Sequence, residues 1–335
     1  MKAIVLGAFG SADNFFMAAD LPIPAVRPGE VRVKVKAASF NPVDYQIRKG
    51  QPEGRFLRSM ILGSDLSGSV DAVHEDVTDF VVGDEVFGYV CNRGSNGTYA
   101  EYVSVPAEFI ARKPATLTHA QAAAVPVAAM TATLALDKVR ARDDKSVFIA
   151  GGAGGVGTFA IAIAQWLGVR KLVTTAGNPK SRAHLIEQCQ LRDDQIVDYR
   201  AADFVVEAMK RNRRGFDIAL DLVGGEMLSA CCALLAVDGN LASITEAPGQ
   251  VDFDILFGKN ASFHSIGANA YALTDDRKAW LKCRQMLDHL AWCFDHGVIA
   301  APQITILGGL STDVVKEAHA LLEAHAVQGK LVMTC

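Results

Sequence analysis

The sequence predicts an α/β protein of two domains, a β-rich one interrupted by a doubly wound one with a parallel sheet. Three observations predict it. A glycine-rich stretch, Gly151-Gly152-Ala153-Gly154-Gly155-Val156-Gly157, separates a short apolar run, residues 146–150, from a helix-length apolar run, residues 158–167. Strand and helix signals then alternate up to residue 267, as repeating βαβ units require. Before the loop, the first 120 residues carry short strand signals without long helices between them. A chain of 335 residues has room for about two domains, each with its own core.

Taken in order, residues 1–6 open the chain as a strand. After the turn at Pro28 and Gly29, residues 31–36 alternate strictly between valine and a cation, the period of a half-exposed strand. Further strands around 69–73, 85–90 and 99–105, with Gly and Asp between them, suggest a compact antiparallel barrel-like domain. Residues 41–50 interrupt this pattern with one short capped helix. Asn41 suits its N-cap, Pro42 the first position, Asp44 the third, and Gly50 the place past its end. Capping already accounts for Asn41 and Asp44.

A small-residue helical stretch, 119–136, broken at Pro126, leads into the glycine loop. Strands at 146–150, 171–175, 196–199, 216–221, 239–244 and 263–267 then supply a full doubly wound sheet. A helix over 275–296 closed by Gly297, a strand near 303–306, a helix near 312–325 and a last strand at 329–333 do not extend that repeat. They are assigned back to the first domain. The expected boundaries are therefore 1–122 with 268–335 for the β-rich domain and 123–267 for the inserted one, with a ligand cleft between them.

The glycine loop read from Gly152 is G-x-G-x-x-G, placed between a strand and a helix. Glycine there permits a sharp turn, a backbone close enough to touch a pyrophosphate, and tight packing of helix on strand. A dinucleotide is thus the expected ligand. Loops that favour NAD carry a carboxylate about 20 residues on, for the ribose 2′-hydroxyl. Here that place is Thr174-Thr175-Ala176, without an acid, and Asn178, Lys180 and Arg182 follow at once. Cations there suit a 2′-phosphate, so the expected cofactor is NADP(H). A solvated first helical turn is the competing explanation for Lys180 and Arg182.

Composition narrows the class. Half of the residues are apolar, 21% are charged and the net charge is −4, which gives no general attraction to nucleic acid or anionic membrane. The basic run Lys210, Arg211, Arg213 and Arg214 is one local exception and reads as a solvated helix end. No apolar run reaches membrane-spanning length and no signal-peptide pattern follows Met1, so a cytoplasmic protein is expected. The seven cysteines are odd in number, without C-x-x-C, and read as buried thiols.

Asn41-Pro42-Val43-Asp44 with Ile47, Arg48 and Gly50, Gly63-Ser64-Asp65, Gly83-Asp84-Glu85, Gly97-Thr98-Tyr99-Ala100-Glu101, Pro126 with Thr131, the glycine loop, Asp221 to Gly225, and Gly329-Lys330 occur in a specific order. In that order the chain resembles the zinc-independent medium-chain dehydrogenases/reductases, near the quinone oxidoreductase branch. The resemblance covers essentially the whole length. It implies a GroES-like catalytic domain joined to a Rossmann nucleotide-binding domain, and NADPH-dependent reduction of quinones or α,β-unsaturated carbonyls.

Zinc alcohol dehydrogenases resemble the same frame, but the ligand positions implied by the likeness are Asn41, Ser64 and Val127, none a thiolate or imidazole. The structural-zinc lobe is reduced to Cys91. Carried over by position, Gly152, Gly154, Gly155, Val156 and Gly157 hold the pyrophosphate. Asn178, Lys180 and Tyr199 surround the 2′-phosphate. Thr131, Val223, Gly224 and Ile244 line the cofactor, with Asn269 and Lys330 at its far side. Asn41 is the implied substrate-side donor and Tyr45 a candidate beside it. Related reductases often carry a tyrosine where Gln46 stands, which puts quinone preference in doubt. An enoyl-thioester reductase, or a low-turnover NADPH-binding structural or nucleic-acid partner, stays open as an alternative. The likeness also implies a homodimer through the edge strands of the nucleotide domain, and a small-molecule substrate.

Overall fold

The computed structural model describes residues 1–51, 57–90, 93–245 and 251–335; Cys91 lies outside them. The chain forms two compact units, 1–130 with 269–335, and 131–268. The division at Met130 and Thr131 falls within a helix, eight residues later than the sequence suggests, because the helical run after Pro126 is continuous.

The first unit opens with β1 (Ala3–Leu6), β2 (Phe15–Ala18) and β3 (Glu30–Ser39). Helix α1 (Pro42–Arg48), β4 (Asp65–Val73), β5 (Glu85–Tyr89), β6 (Tyr102–Pro106) and β7 (Ile110–Arg112) follow. Then come α2 (His119–Ala123) and α3 (Pro126–Lys138). Proline has no N–H to give, so Pro126 ends the helical run before it and starts the next one.

The second unit holds β8 (Ser146–Ala150), α4 (Gly155–Trp166), β9 (Lys171–Ala176), α5 (Pro179–Glu187), β10 (Ile196–Asp198) and α6 (Phe204–Arg211). It continues with β11 (Phe216–Asp221), α7 (Glu226–Leu234), β12 (Leu235–Ser243), α8 (Phe253–Gly258) and β13 (Ser262–Ser265). The chain then returns to the first unit with α9 (Ala270–Leu273), α10 (Arg277–Asp295), β14 (Ile304–Gly309), α11 (Thr312–Glu323) and β15 (Lys330–Thr334).

The second unit is a six-stranded parallel sheet in the order β10-β9-β8-β11-β12-β13, the doubly wound order. Every residue of β8 is buried, as expected of a central strand with both faces covered. Phe148, Phe216, Leu228, Leu234 and Leu241 centre its core. The Lys259 ammonium donates to the carbonyls of Cys232, Ala233 and Leu235, satisfying the end of α7.

In the first unit, β14-β15-β3-β4-β5-β7 form one sheet, with β6 also on β3. Its pairing is antiparallel apart from β14 with β15. Two registers matter below: Ser39 of β3 lies opposite Val332 of β15 and opposite Asp65 of β4. The start of β15, the end of β3 and the start of β4 are thus brought together. No helix among the described residues is long and apolar enough to cross a membrane.

Candidate functional site

The glycine loop divides its labour among its glycines. Gly151 has φ +82°, a left-handed turn that suits glycine, and its N–H is held by Thr175 Oγ1 at 3.0 Å. A Cβ on Gly152 would lie 2.1 Å from Thr174 Oγ1, and one on Gly157 would lie 2.3 Å from Gly151 O. These two glycines let α4 pack onto the loop and sheet. Gly154 differs: its Cβ would meet only Gly151 O, at 3.4 Å. The space in front of it is open.

Gly154 is the N-cap of α4, and the first i→i−4 bond of that helix runs from Thr158 N to Gly154 O at 2.9 Å. The N–H groups of Gly155, Val156 and Gly157 therefore precede the helical ladder, at the positive end of the helix dipole. This cradle fits a pyrophosphate, which binds to such amides without side chains.

At the end of β9, Thr174 and Thr175 are buried and turned inward, with Thr174 Oγ1 on Ile149 O at 2.7 Å. Gly177 follows, and a Cβ there would lie 2.5 Å from the Tyr199 ring. Gly177 thus lets the half-exposed Tyr199 ring lie against the strand end. Asn178 caps α5, its Oδ1 accepting from Ser181 N at 2.8 Å, which leaves Lys180 exposed on the first turn. Arg182 is placed otherwise: its Nε donates to Asp193 Oδ1 at 2.7 Å and its guanidinium reaches the carbonyls of Asp193 and Ile196. Sequence reasoning grouped Arg182 with Lys180; the tether to Asp193 separates them.

The turn after β11 is shaped by Asp221. Its Oδ1 accepts from Val223 N and Gly224 N at 3.1 and 2.9 Å, and its Oδ2 accepts from Ser243 Oγ at 2.8 Å. Gly224 has φ +83°, and Ile244 N donates to Asp221 O at 3.1 Å. Asp221 is thus a strand-end residue bonding its own loop, and it presents Val223, which is half-exposed beside Gly151. Thr131 lies in α3, largely buried.

The first unit contains a second polar assembly, around Asn41 at the N-terminus of α1. Asp44 Oδ2 accepts from Asn41 N at 2.8 Å, closing the cap. The Asn41 side chain is engaged elsewhere: Nδ2 donates to Asp65 Oδ2 at 2.9 Å and Oδ1 accepts from Lys330 Nζ at 2.5 Å. Lys330 also donates to Phe40 O at 3.1 Å and lies 3.6 Å from Asp65. Asp65 further accepts from Ser39 Oγ and from Val127 N, both at 2.9 Å. Asn41, Asp44, Asp65 and Lys330 are all buried.

Beneath Asn41, Ser64 Oγ donates to Asp44 Oδ1 at 3.3 Å, and Tyr99 bonds the same carboxyl. The Tyr99 hydroxyl is 3.3 Å from Nε2 of the buried His319, whose ring packs on Phe15 and Phe40. Burial pushes the Asp44 carboxyl up to about 7, the Asn41 N–H opposing and the Asp65 charge adding to the rise. Burial also raises Asp65, against the pull of Lys330, and lowers Lys330. His319 is pushed down to about 3 by burial and the Arg48 charge, and so stays neutral. Asp44 and Ser64 line a pocket of about 20 Å³, room for one water.

Lys330, which the likeness puts at the far side of the cofactor, has its ammonium enclosed by Phe40, Asn41 and Asp65, because β15 pairs with β3. Tyr45 does not join the cluster. One helical position is about 100° of rotation, so Asp44 points inward while Tyr45 is half-buried, with the Lys49 ammonium 5.4 Å from its ring. Asn269 opens α9, its carbonyl accepting from Ala272 N at 2.9 Å. Sequence reasoning missed Asp65, Tyr99 and His319. Gly63-Ser64-Asp65 was a visible signal, whereas His319 sits in an amphipathic helix that gives none.

The ligand positions of zinc enzymes, Asn41, Ser64 and Val127, thus carry an amide bonded to Asp65, a hydroxyl bonded to Asp44, and an apolar side chain whose backbone N–H bonds Asp65. Those donors do not fit a catalytic zinc. Among the described residues no three His, Cys, Asp or Glu side chains are placed to hold a metal.

Residues 27–115 match the alcohol dehydrogenase GroES-like domain, and residues 191–333 match the family described as zinc-binding dehydrogenase. The bovine (Bos taurus) mitochondrial NAD(P)H oxidoreductase RTN4IP1 is 35% identical over 67% of this chain, which spans 60% of that relative's length. The 2-methylene-furan-3-one reductase of Solanum lycopersicum is 28% identical over 99% of this chain and 79% of its own. The structure of mycobacterial Rv1454c complexed with NADPH superposes with a TM-score of 0.85 at 27% identity, covering 100% of both chains. Two domain matches, end-to-end likeness and the doubly wound order agree: the chain belongs to the medium-chain dehydrogenase/reductase family.

Proposed function

We propose that the chain is a zinc-independent oxidoreductase that uses NADPH to reduce activated alkenes, the α,β-unsaturated carbonyls, with quinones as a second acceptor class. The observation that carries this reading is the wiring of Asn41, Ser64 and Val127 into Asp44, Asp65 and Lys330. A simple alkoxide needs a Lewis acid for stabilisation, whereas a conjugated acceptor leaves a delocalised oxyanion that a few hydrogen-bond donors can hold.

In this reading the amides of Gly155, Val156 and Gly157 hold the pyrophosphate, with Gly154 keeping the approach clear. Lys180, Tyr199 and Asn178 surround the 2′-phosphate, where an NAD-preferring loop would carry an acid. Thr131, Val223, Gly224 and Ile244 line the remainder. The nicotinamide, when bound, supplies the hydride. Asn41 presents an N–H to the carbonyl oxygen of the substrate. Asp44, with its raised proton affinity and its bond from Ser64 Oγ, holds a proton next to a water-sized pocket, supplies it to the anion left by hydride addition, and takes one back from water.

The test is steady-state loss of NADPH and of NADH over a panel of enones, quinones and enoyl thioesters, with and without a chelator. Faster turnover with NADPH than NADH on an enone, unaffected by chelation, is expected. Loss of activity on chelation with recovery in zinc would overturn the metal-free reading, and silence on every acceptor would leave a cofactor-binding protein. We also assign pairing of two copies to the β13 edge of the sheet, close in sequence to the exposed Phe253 and Phe257. A light-scattering mass of one chain would exclude it.

A further inference from the structure

We propose that Lys330 and Asp65 are positioning residues that lock the Asn41 amide in one orientation, its carbonyl toward Lys330 and its NH2 toward Asp65. The second Nδ2–H is thereby kept as a donor for the substrate oxygen. This deepens the reading of Asn41 given above and rests on it.

The two ends of an amide are alike in size and opposite in hydrogen bonding, so only its neighbours decide which way it points. Here the neighbours are as unlike as side chains can be. An ammonium has donors and no acceptor, and an ionised carboxylate has acceptors and no donor. Lys330 Nζ lies 2.5 Å from Asn41 Oδ1, and Asp65 Oδ2 lies 2.9 Å from Asn41 Nδ2. A reversed amide would press NH2 against the ammonium and oxygen against the carboxylate, at a buried residue where solvent screens little.

The lock is itself held. Asp65 is fixed by Ser39 Oγ and Val127 N, and Lys330 by the carbonyl of Phe40, the residue before Asn41. Strand register sets all of this, since Ser39 faces both Val332 and Asp65 across its two neighbouring strands. A well-packed apolar pair would stabilise the sheet at least as well as a buried Lys–Asp pair. The charged pair does what an apolar pair would not: it makes the Asn41 amide directional.

The experiment compares K330M, the double variant K330M/D65N, and N41A. K330M leaves Asp65 buried and uncompensated and is expected to lower Tm. The double variant removes both charges, and the amide placed at 65 is able to accept from Asn41 or donate to it. Its Tm is expected to return toward that of the parent, while kcat stays about tenfold low with KM within about twofold, since misplaced donors act on the transition state. The second readout needs no cofactor. In protein labelled with 15N-asparagine, the Asn41 side-chain signals, assigned by their loss in N41A, should exchange with solvent faster in the double variant.

A double variant with parental kcat and unchanged Asn41 signals would overturn the lock. N41A with unchanged kcat would instead overturn the role of Asn41 as donor, so the two failures are distinguishable.

Discussion

The glycine loop of the second unit and the Asn41 cluster of the first are built from opposite materials. The loop works through what is missing: no side chain at Gly154, no hydrogen-bonded partner inside the helix for the amides that follow it, no acid at the end of β9. The cluster works through what is present, the buried polar side chains of Asn41, Asp65 and Lys330 bonded to one another, with the Asp44 carboxyl held by the Asn41 backbone N–H. An anion site made of backbone is contiguous in the chain. A side-chain site is assembled by tertiary pairing, so its members lie as far apart as Asn41 and Lys330. The two regions should therefore fail differently when altered.

The largest effect is expected inside the loop, where two glycines that look equivalent in sequence are not. A methyl on Gly157 would stand 2.3 Å from Gly151 O and 2.6 Å from Gly152 Cα, both backbone. The helix must move off the loop, so G157A should cost about 1–3 kcal/mol and abolish measurable NADPH binding. A methyl on Gly154 meets only Gly151 O at 3.4 Å, so G154A should leave stability within about 0.5 kcal/mol. It should nonetheless weaken NADPH binding by about tenfold or more by occupying the approach. Thermal unfolding and fluorescence titration of each variant separate the packing glycine from the approach glycine. Equal loss of stability in both would show that the loop is one steric unit.

That contrast also explains what was legible in the sequence. The doubly wound sheet announced itself through a run of local signals, because each βα unit is written in consecutive residues. The loop was legible for the same reason. In the first unit the strands were visible, but β2, β7 and α9 are too short for a period to emerge. Asp44 looked fully explained by capping, and it does close the cap. Its second identity, a carboxyl under Tyr99 and Ser64, depends on residues 20 and 55 positions away, which no local pattern links to it. A terminal Gly-Lys gives no hint that β15 pairs with β3 and encloses the Lys330 ammonium beside Asn41.

The cluster is expected to betray its side-chain nature through pH. Burial raises the Asp44 carboxyl from the usual range near 3.8 to about 7. Between those values the folded protein binds the proton more tightly than the unfolded chain does, so the Asp44 contribution favours folding at low pH and is lost as pH rises toward 7. His319, held near 3, acts in the opposite sense, since its protonation below about 6.5 favours unfolding. The charged groups facing Asp44 include Asp65 and Lys330, and Arg48 faces His319. Comparing D44N with its parent at each pH cancels the His319 contribution. The stability of D44N relative to the parent should rise by about 2–3 kcal/mol from pH 5 to pH 8. A difference that stays flat over that range would mean that the Asp44 carboxylate is no burden to the fold.

The smallest effect tests whether the loop's neighbourhood really needs side chains at all. Lys180 and Arg182 stand two positions apart on α5 and carry the same charge, so sequence treats them alike. The structure does not. Arg182 is tied through its guanidinium to Asp193 and the carbonyl of Ile196, which fixes α5 against the segment that leads into β10. Lys180 is exposed on the first turn, just past the half-exposed Tyr199 ring and the close-packed Gly177. A charge-assisted contact to a phosphate is the stronger kind of hydrogen bond, so K180A should lower NADPH affinity by about tenfold and leave NADH unchanged. R182A removes a partly exposed ion pair and should change NADPH affinity by less than about twofold, with a stability loss of about 1 kcal/mol or less. The comparison is decided by the NADPH to NADH ratio of each variant. If R182A moved that ratio and K180A did not, Arg182 would have to leave Asp193 to reach the cofactor. The rigid tether seen here would then be one of two states of α5.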